Sequence, residues 1–304
     1  MQIEIEPGEW AGILDSLRPS IGRFASLVVR VLAWRKQQTG YFPFRLHRFL
    51  QRFISPRRPY FIGRTRQGIL FLGDARDYDS CHWALGDPAD EQFIARAVEL
   101  RRSHPGAYLD VGTNCGVVAA SIATLSSESA PVVAFEPVPA TAARAAATFA
   151  LNGLRSARLF RAAIGDEDKE IVLFEKSSHS GGASAVRAGG AVREVRVPCR
   201  TLDSVIQTLG ITHISLLKID VEGFEPHVLR GARQLLAEHR PVVIYEYNEY
   251  DTPAGRGGSM IEAMNSIIRQ SGPYRFHGFL EDGTLVPDVS NFQGHHVDVI
   301  GVPS

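Results

Sequence analysis

The fold of this 304-residue chain is decided by the stretch Ala107-Tyr108-Leu109-Asp110-Val111-Gly112-Thr113-Asn114-Cys115-Gly116. It predicts a short apolar strand that ends at an acid and enters a turn with two glycines, followed by a helix over 117–126. The glycines allow a sharp turn and a close approach of a ligand to the backbone. A second apolar run, Val132 to Phe135, ends at Glu136. Together these features predict a nucleoside-binding βαβ unit.

The residues of the turn distinguish between two cofactors. A dinucleotide-binding turn reads Gly-x-Gly-x-x-Gly, so that a pyrophosphate can lie at the start of the helix. Here the turn reads Asp-x-Gly-x-Asn-x-Gly, and Asp110 would repel a pyrophosphate. An acid there suits a cationic ligand end, such as the amino group of S-adenosylmethionine, while Glu136 can accept hydrogen bonds from both ribose hydroxyls. The spacing of Glu136 argues against the alternative, an ordinary turn that binds nothing.

Strands and helices continue to alternate after Glu136. We expect further strands at 157–163, 214–220, 242–247, 274–279 and 297–302, and helices at 141–152, 201–209, 226–239 and 259–271. Because no helix separates the last two strands, the sequence predicts a mostly parallel sheet with one antiparallel strand and a ligand site at the carboxyl ends. Four acids fall at such ends: Asp110, Glu136, Asp220 and Glu246. The Ser/Gly-rich stretch 177–190, between strand-like runs at 171–175 and 192–198, is either a hairpin loop or a substrate lid.

Charge is distributed unevenly, although the net charge is zero and the hydrophobic fraction of 44% is typical of a globular protein. Residues 16–73 contain twelve Arg and Lys residues and no acid. The run 25–34 is broken by Arg30 and too short to span a bilayer.

Three widely spaced cysteines favour a reducing compartment, and 1–10 resemble no signal peptide, so we expect a cytoplasmic protein with a possible peripheral contact to the membrane.

The first 78 residues are expected to form an Arg-rich helical extension that ends in a β-hairpin over 60–72, ahead of a catalytic domain at 79–304. One interpretation is a helical cap with a solvated Arg face. The other is a surface, within 16–73, for an anionic membrane, a phosphate-rich carrier or an acidic protein. Nucleic acid is not expected, because no recognition motif accompanies the charge.

The assembled motifs resemble the FkbM-type family of S-adenosylmethionine-dependent methyltransferases of class I, over about 79–304. They are Leu109 to Gly116, Phe135-Glu136-Pro137, Ala163-Ile164-Gly165, Thr201-Leu202-Asp203 and Leu217-Lys218-Ile219-Asp220-Val221-Glu222-Gly223-Phe224-Glu225. The last motif is the specific one. Thr113 stands where members commonly have Ala, and the Arg-rich region has no family counterpart.

The resemblance implies an α/β, Rossmann-like sheet of strand order 3-2-1-4-5-7-6 with the last strand antiparallel. It also implies S-adenosylmethionine as cofactor and methyl transfer, usually to a hydroxyl oxygen of a sugar, glycolipid or polyketide. The acceptor is then a small molecule or a molecule linked to a lipid or carrier. Expected cofactor-binding residues are Asp110, Gly112, Thr113, Asn114, Gly116, Glu136, Ala163, Asp166 and Asp220.

Candidate catalytic residues are Asp220, Glu222, Glu246 and His227. An alcohol is a poor nucleophile at neutral pH, so a nearby base would help, and Asp220 is best placed to act as a base or to orient the cofactor. His295 and His296 could also reach the substrate. A metal held by Asp220, Glu246 and a histidine is conceivable, but the spacing does not support it and no metal is predicted.

Two functions of other classes remain open from the sequence. A nicotinamide-dependent oxidoreductase could use the same fold, although the absent Gly-x-Gly-x-x-Gly and the presence of Asp110 argue against it. A non-catalytic binding module could use the basic N-terminal region. The four acids at strand ends argue against loss of the catalytic site.

Overall fold

The computed structural model describes residues 3–86, 88–126, 130–176, 191–248, 257–280, 284–289, 292 and 294–304. The helices in these ranges are α1 (Trp10–Leu17), α2 (Arg23–Thr39), α3 (Phe44–Leu50), α4 (Tyr78–Leu85), α5 (Pro88–Ser103), α6 (Val117–Ser126), α7 (Pro139–Leu151), α8 (Leu202–Leu209), α9 (Glu225–Arg230), α10 (Arg233–His239) and α11 (Gly257–Arg269). The stretch 177–190, considered above as a loop or a lid, lies outside the described residues.

The strands in the same ranges are β1 (Glu4–Ile5), β2 (Tyr60–Arg64), β3 (Leu70–Asp74), β4 (Ala107–Val111), β5 (Val132–Phe135), β6 (Ala157–Phe160), β7 (Ala163–Ile164), β8 (Lys169–Lys176), β9 (Ala191–Arg200), β10 (Ile214–Ile219), β11 (Val242–Asn248), β12 (Tyr274–Phe279), β13 (Leu285–Val286) and β14 (His296–Pro303).

The main sheet has nine strands within the described residues, in the order β1-β6-β5-β4-β10-β11-β14-β12-β13. Strands β6, β5, β4, β10 and β11 are parallel, and β14 inserts antiparallel between β11 and β12. Counted over the seven predicted strands, this order is 3-2-1-4-5-7-6. The predicted class I sheet is therefore confirmed, while the two-residue edge strands β1 and β13 were not predicted.

Two predicted elements were wrong in their extent. The third strand ends at Phe160, and 163–164 pair instead with β9 in a separate three-stranded sheet with β8. The apolar pattern continues through 162–164, so it gives no sign of the change of sheet. The helix expected at 226–239 is broken into α9 and α10 at Gly231, where the chain approaches the backbone of Gly165 so closely that a Cβ would collide with its carbonyl oxygen.

The N-terminal region packs directly on the main sheet and its helices. Strand β1 pairs with β6, and the indole of Trp10 meets the ring of Phe149 on α7 edge-on at 5.2 Å between centroids. Helix α7 also anchors the β2–β3 hairpin, because the hydroxyl of Thr148 accepts a hydrogen bond from the backbone N–H of Leu72 at 3.2 Å. The division of the chain at residue 78 stays a prediction; α4 begins there.

Substituting Gly231 with alanine should destabilise the protein, because the added methyl collides with a backbone oxygen that cannot move independently. We expect a loss of about 1–3 kcal/mol in the free energy of unfolding, typical of overpacking. Gly12, inside α1, is a matched control because nothing lies within 4 Å of an added Cβ. There alanine should be neutral or stabilise by up to about 1 kcal/mol. Urea denaturation followed by circular dichroism measures both, and equal stabilities of the two variants would contradict the close approach.

Candidate active site

A cavity of about 290 Å³ opens at the carboxyl ends of β4, β5, β10 and β11. Its polar lining comes from Gly112, Asn114, Glu136, Asp220, Glu222 and Glu246. Apolar side chains complete it, among them Phe135, Ile164, Ile171, Leu173 and Phe224, and helix α4 contributes Asp79, His82 and Trp83. The predicted position of the ligand site at the strand ends therefore coincides with a cavity.

The turn after β4 is held in shape by the carboxylate of Glu136. Gly112 has φ of +83°, and Asn114 is a non-glycine residue in the left-handed region, with φ of +49°. Glu136 holds this shape: its Oε2 accepts the backbone N–H of Asn114 at 3.1 Å and its Oε1 accepts that of Val138 at 3.0 Å. Burial raises the pKa of Glu136 to about 7, although these two hydrogen bonds act to lower it. Its carboxylate is thus fixed in position at the cavity wall.

Asp110 lies beneath the turn and does not border the cavity. Its side chain is fully buried, Oδ2 accepts the hydroxyl hydrogen bond of Thr113 at 2.7 Å, and Oδ1 lies 3.7 Å from the ammonium nitrogen of Lys218. Burial raises the pKa of Asp110, while the charge of Lys218 opposes that shift. The hydrogen bond between Asp110 and Thr113 therefore stabilises the turn, and a direct attraction between Asp110 and a cationic ligand stays a prediction.

Gly116 lies outside the lining of the cavity, and its role in cofactor binding stays a prediction. It is buried with φ of +80°, and an added Cβ would lie 2.9 Å from the ring of Phe149 and 3.2 Å from Cα of Ala145. This glycine allows the start of α6 to approach α7. Its conformation and its contacts account for a small residue here without a ligand.

Two acids at the cavity, Asp220 and Glu246, ionise differently. Burial acts to raise the pKa of Asp220, but the charge and the hydrogen bond of Lys218 lower it. The Nζ atom of Lys218 lies 2.9 Å from Oδ2 of Asp220. Burial and the charge of Asp220 raise the pKa of Glu246 to about 8. His296 Nε2 lies 2.7 Å from Oε1 of Glu246, at the start of β14. Within this pair, therefore, Asp220 loses its proton more readily than Glu246 does.

The loop that follows Asp220 is shaped by Glu225. Its Oε1 accepts the backbone N–H groups of Val221 at 2.9 Å and Gly223 at 3.3 Å, which allows Glu222 to adopt φ of +55° at the cavity wall. Burial raises the pKa of Glu225 to about 7. The motif Asp-Val-Glu-Gly-Phe-Glu thus encodes a strained loop together with the carboxylate that stabilises it.

His227 and Asp166 lie behind the cavity wall, although both were predicted to belong to the site. The imidazole of His227 stacks on the ring of Phe224 at 4.1 Å between centroids, and its Nδ1 lies 2.7 Å from Oδ2 of Asp166. Arg230 donates to the same oxygen at 3.3 Å. Although desolvation opposes it, the hydrogen bond from His227 lowers the pKa of Asp166. This arrangement supports Phe224, which lines the cavity.

The predicted residues thus divide into two groups. Those that border the cavity are Gly112, Asn114, Glu136, Ala163, Asp220, Glu222 and Glu246. Those that lie outside its lining are Asp110, Thr113, Gly116, Asp166 and His227. Within the described part of the chain, no group of three or more His, Cys, Asp or Glu side chains is arranged as a metal site.

Sequence reasoning missed the contribution of α4. Asp79, His82 and Trp83 precede the family motifs by more than twenty residues, so the resemblance does not point to them. A weak signal exists, because Asp79 and His82 are three residues apart and share one face of a helix. The roles of Lys218 and Glu225 were also missed, although both stand in the most specific motif.

The chemistry of these side chains fits S-adenosylmethionine. Glu136 is fixed by backbone donors and keeps lone pairs for ribose hydroxyls. Apolar side chains such as Phe135 and Leu173 can enclose a purine ring, and the carboxylates of Asp220 and Glu222 suit a cationic amino acid end. Fold and site together define a class I methyltransferase that uses S-adenosylmethionine.

Comparison with known proteins identifies the family. Residues 110–279, more than half of the chain, match the family described as "Methyltransferase FkbM domain", so the chain belongs to this family. The chain is similar to the 2-O-methyltransferase NoeI of Sinorhizobium fredii (strain NBRC 101917 / NGR234). The two are 29% identical over 212 residues, which are 64% of this chain and 85% of that protein. Family membership confirms the resemblance and favours S-adenosylmethionine over a nicotinamide cofactor.

Two solved structures are more distant. The methyltransferase FkbM from Methylobacillus flagellatus KT is 15% identical with a TM-score of 0.44, over 64% of this chain and 43% of that one. The S-adenosylmethionine-dependent methyltransferase from Agrobacterium tumefaciens is 13% identical with a TM-score of 0.45, over 80% and 69%. The chain thus spans less than half of the first structure. The fold assignment rests on the strand order of the sheet.

Substituting Glu136 with alanine should weaken the binding of S-adenosylmethionine, because it removes a fixed acceptor from the cavity wall. Loss of a charged hydrogen-bonding partner costs about 1.5–3 kcal/mol, which is roughly a tenfold to hundredfold increase in Kd by titration calorimetry. The matched control is Glu99→Ala on the exposed surface of α5, where we expect unchanged affinity. Equal Kd values for the wild type and Glu136→Ala would remove Glu136 from the cofactor site.

Proposed function

We propose that the chain transfers a methyl group from S-adenosylmethionine to a hydroxyl oxygen of a sugar, glycolipid or polyketide-type metabolite. The observation that carries this proposal is the pair Asp220 and Glu246, which both border the cavity. The ammonium of Lys218 lies 2.9 Å from Asp220 and the imidazole of His296 lies 2.7 Å from Glu246. A hydroxyl must lose its proton as it attacks carbon, so a site for oxygen methylation needs a group that takes a proton near neutral pH.

The residues of the pair have separate tasks in this proposal. The bound cofactor supplies a methyl carbon made electrophilic by its sulfonium. Asp220, kept ionised by Lys218, accepts a hydrogen bond from the acceptor hydroxyl and orients it. Glu246, with its pKa near 8, takes the proton in its ionised form, and His296 beside it is placed to carry that proton further. The enclosed walls align the reactants and exclude water.

The proposed class of acceptor has two supports. The relative from Sinorhizobium fredii is described as a 2-O-methyltransferase. The cavity also carries polar groups beyond those suited to the cofactor, because Asp79 and His82 of α4 border it and can form hydrogen bonds with a hydroxylated molecule.

The same proposal places the enzyme in the cytoplasm, where its three unpaired, buried cysteines remain reduced.

The acceptor class is tested by incubating the protein with S-adenosylmethionine carrying a ¹³C-labelled methyl group and panels of sugars, glycolipids, polyketides, amines and carboxylic acids. Chemical shifts of the labelled methyl distinguish the atom that receives it. Methyl ethers are the expected products. Methylamines or methyl esters as the main products would contradict oxygen methylation at a hydroxyl, and cofactor binding without any transfer would favour the non-catalytic binding module.

Replacing Asp220 with asparagine should lower turnover more than it weakens cofactor binding, because the shape is kept and the charge is lost. We expect kcat to fall by about 10²-fold, the cost typical of a reactant that is no longer held in its reactive orientation. Asp15→Asn, on the exposed face of α1, is the isosteric control and should retain full activity. Turnover of Asp220→Asn close to that of the wild type would show that Asp220 does not orient the acceptor, and would leave that task to Glu222 or His296.

A further inference from the structure

Large apolar side chains stand exposed on the N-terminal helices. The indole of Trp34 is 59% exposed and the ring of Phe53 is 60% exposed. Others of this kind are Phe24, Leu27, Phe44 and Phe49. We call these residues, with the arginines between them, the aromatic–arginine surface; the arginines include Arg23, Arg30, Arg45, Arg48, Arg52 and Arg58, all exposed. Exposed apolar groups of this size, gathered together, mark an interaction surface.

Helix α2 has two apolar faces. One face is buried: Ala25, Val28, Val29 and Leu32 pack in a cluster that also contains Phe61 and Phe71 of the β2–β3 hairpin. The other face presents Phe24, Leu27 and Trp34, whose spacing of three and seven residues brings them to one side of a helix. The fold of the described residues uses the first face and leaves the second uncovered.

The uncovered face continues from α2 onto the segment after α3. Phe24 and Phe53 line one hollow of about 460 Å³ on the surface, together with Arg23 and Arg58. The ring of Phe49 lies 5.3 Å from that of Phe53. Aromatic rings from two distant parts of the sequence therefore form a single patch with arginines at its border.

The arginines of this surface are not neutralised by the rest of the described chain. Acidic partners exist at its margins, where Arg18 pairs with Asp15 and Arg66 with Glu91. Across the described residues, by contrast, no ion pair is formed by the six arginines named above. Within the described ranges, no carboxylate oxygen lies within 4.0 Å of a side-chain nitrogen of these six arginines, which are exposed to solvent.

We propose that the aromatic–arginine surface docks on an anionic lipid leaflet. Exposed aromatic and aliphatic groups on one helix face, flanked by arginines and without acids, are the composition of an interfacial helix. Charge complementarity selects an anionic leaflet, while Leu27, Phe24 and Trp34 need a partner that accepts apolar side chains as well as charge. Among the described helices none is both long and apolar enough to cross a membrane.

Docking there would place the catalytic cavity beside the leaflet. Phe44 of this surface and its neighbour Phe42 pack on Tyr78, at 5.1 and 4.7 Å between ring centroids. Tyr78 begins α4, the helix that supplies Asp79 and His82 to the cavity. A lipid-linked acceptor held in the leaflet would meet the α4 wall first. This step rests on the proposed function, whereas the docking itself does not.

Vesicle flotation of the full chain tests the docking. The vesicles are of phosphatidylcholine alone or of phosphatidylcholine mixed with phosphatidylglycerol, at low and high salt. We expect binding to the anionic vesicles only, weakened at high salt. Substituting Arg45, Arg48 and Arg52 with glutamine should lower the partition coefficient about fivefold for each arginine, and so on the order of a hundredfold together.

The matched control replaces three exposed arginines of the catalytic domain, Arg155, Arg233 and Arg275, by glutamine, and should bind the vesicles like the wild type. Titration calorimetry with S-adenosylmethionine, unchanged in both triple variants, shows that they are folded. No flotation with anionic vesicles at low salt, or equal losses in the two triple variants, would overturn the proposal.

Fluorescence separates a leaflet from other polyanions. Insertion of Trp34 into the lipid interface should shift its emission to shorter wavelength with anionic vesicles, and the shift should vanish in Trp34→Phe. Heparin and single-stranded DNA are the comparison ligands. Binding to heparin or DNA, with no spectral shift and no flotation with vesicles, would overturn the proposal. The partner would then be a nucleic acid or an acidic protein. Because none of these readouts depends on catalysis, failure of the docking and failure of the methyl transfer are distinguishable.

Discussion

The site depends on one buried cation. Lys218, in the middle strand β10, is almost fully buried, with its ammonium nitrogen 2.9 Å from Asp220 and 3.7 Å from Asp110. Burial alone would lower its pKa, but the charges of these acids raise it, so the ammonium stays protonated. A buried charge without a partner is strongly destabilising. Here Lys218 and Asp110 are buried together, and Asp220 joins them from the partly exposed cavity wall. Lys218 therefore permits Asp110 to hold the turn and Asp220 to stay ionised at the cavity.

The same charge arrangement divides the two acids at the end of the cavity. Asp220 has the cation beside it, whereas Glu246 has a second acid and His296 as its neighbours. When only one of two neighbouring acids has a cation beside it, their pKa values move apart. Two carboxyl groups can then perform different tasks in one site. Since Glu246 can take a proton only after it has lost its own, its strength as a base becomes available as the pH rises through about 8.

The fold could be predicted from the sequence because its signals are local. Strand β4, the glycine turn and helix α6 are encoded by adjacent residues, and strand β5 ends at Glu136 as the spacing indicates. The face of the sheet on which each connecting helix packs then follows from the rule that crossovers between parallel strands are right-handed. What could not be predicted depends on contacts between distant residues: the break at Gly231 is set by the backbone of Gly165, and the separate sheet of β7 by its pairing with β9.

The site was predicted less completely for the same reason. An acid at a strand end points to the cavity or away from it according to its neighbours, so Glu136 borders the cavity while Asp110 is buried against Lys218. His227 was favoured for its nearness in sequence to the main motif, but its imidazole lies against Phe224 on the outer side. Helix α4 reaches the cavity through its packing with the N-terminal region, which no motif records.

A ¹³C NMR titration of the side-chain carboxyl carbons in the wild-type protein measures most directly how Lys218 divides the two acids. Signals of the two acids are assigned from the spectra of Asp220→Asn and Glu246→Gln. We predict that Glu246 titrates near pH 8 and that Asp220 remains ionised to below its ordinary pKa of 3.8. Titration of Glu246 near its ordinary value of 4.5, or of Asp220 above its own, would contradict the division of roles that Lys218 imposes.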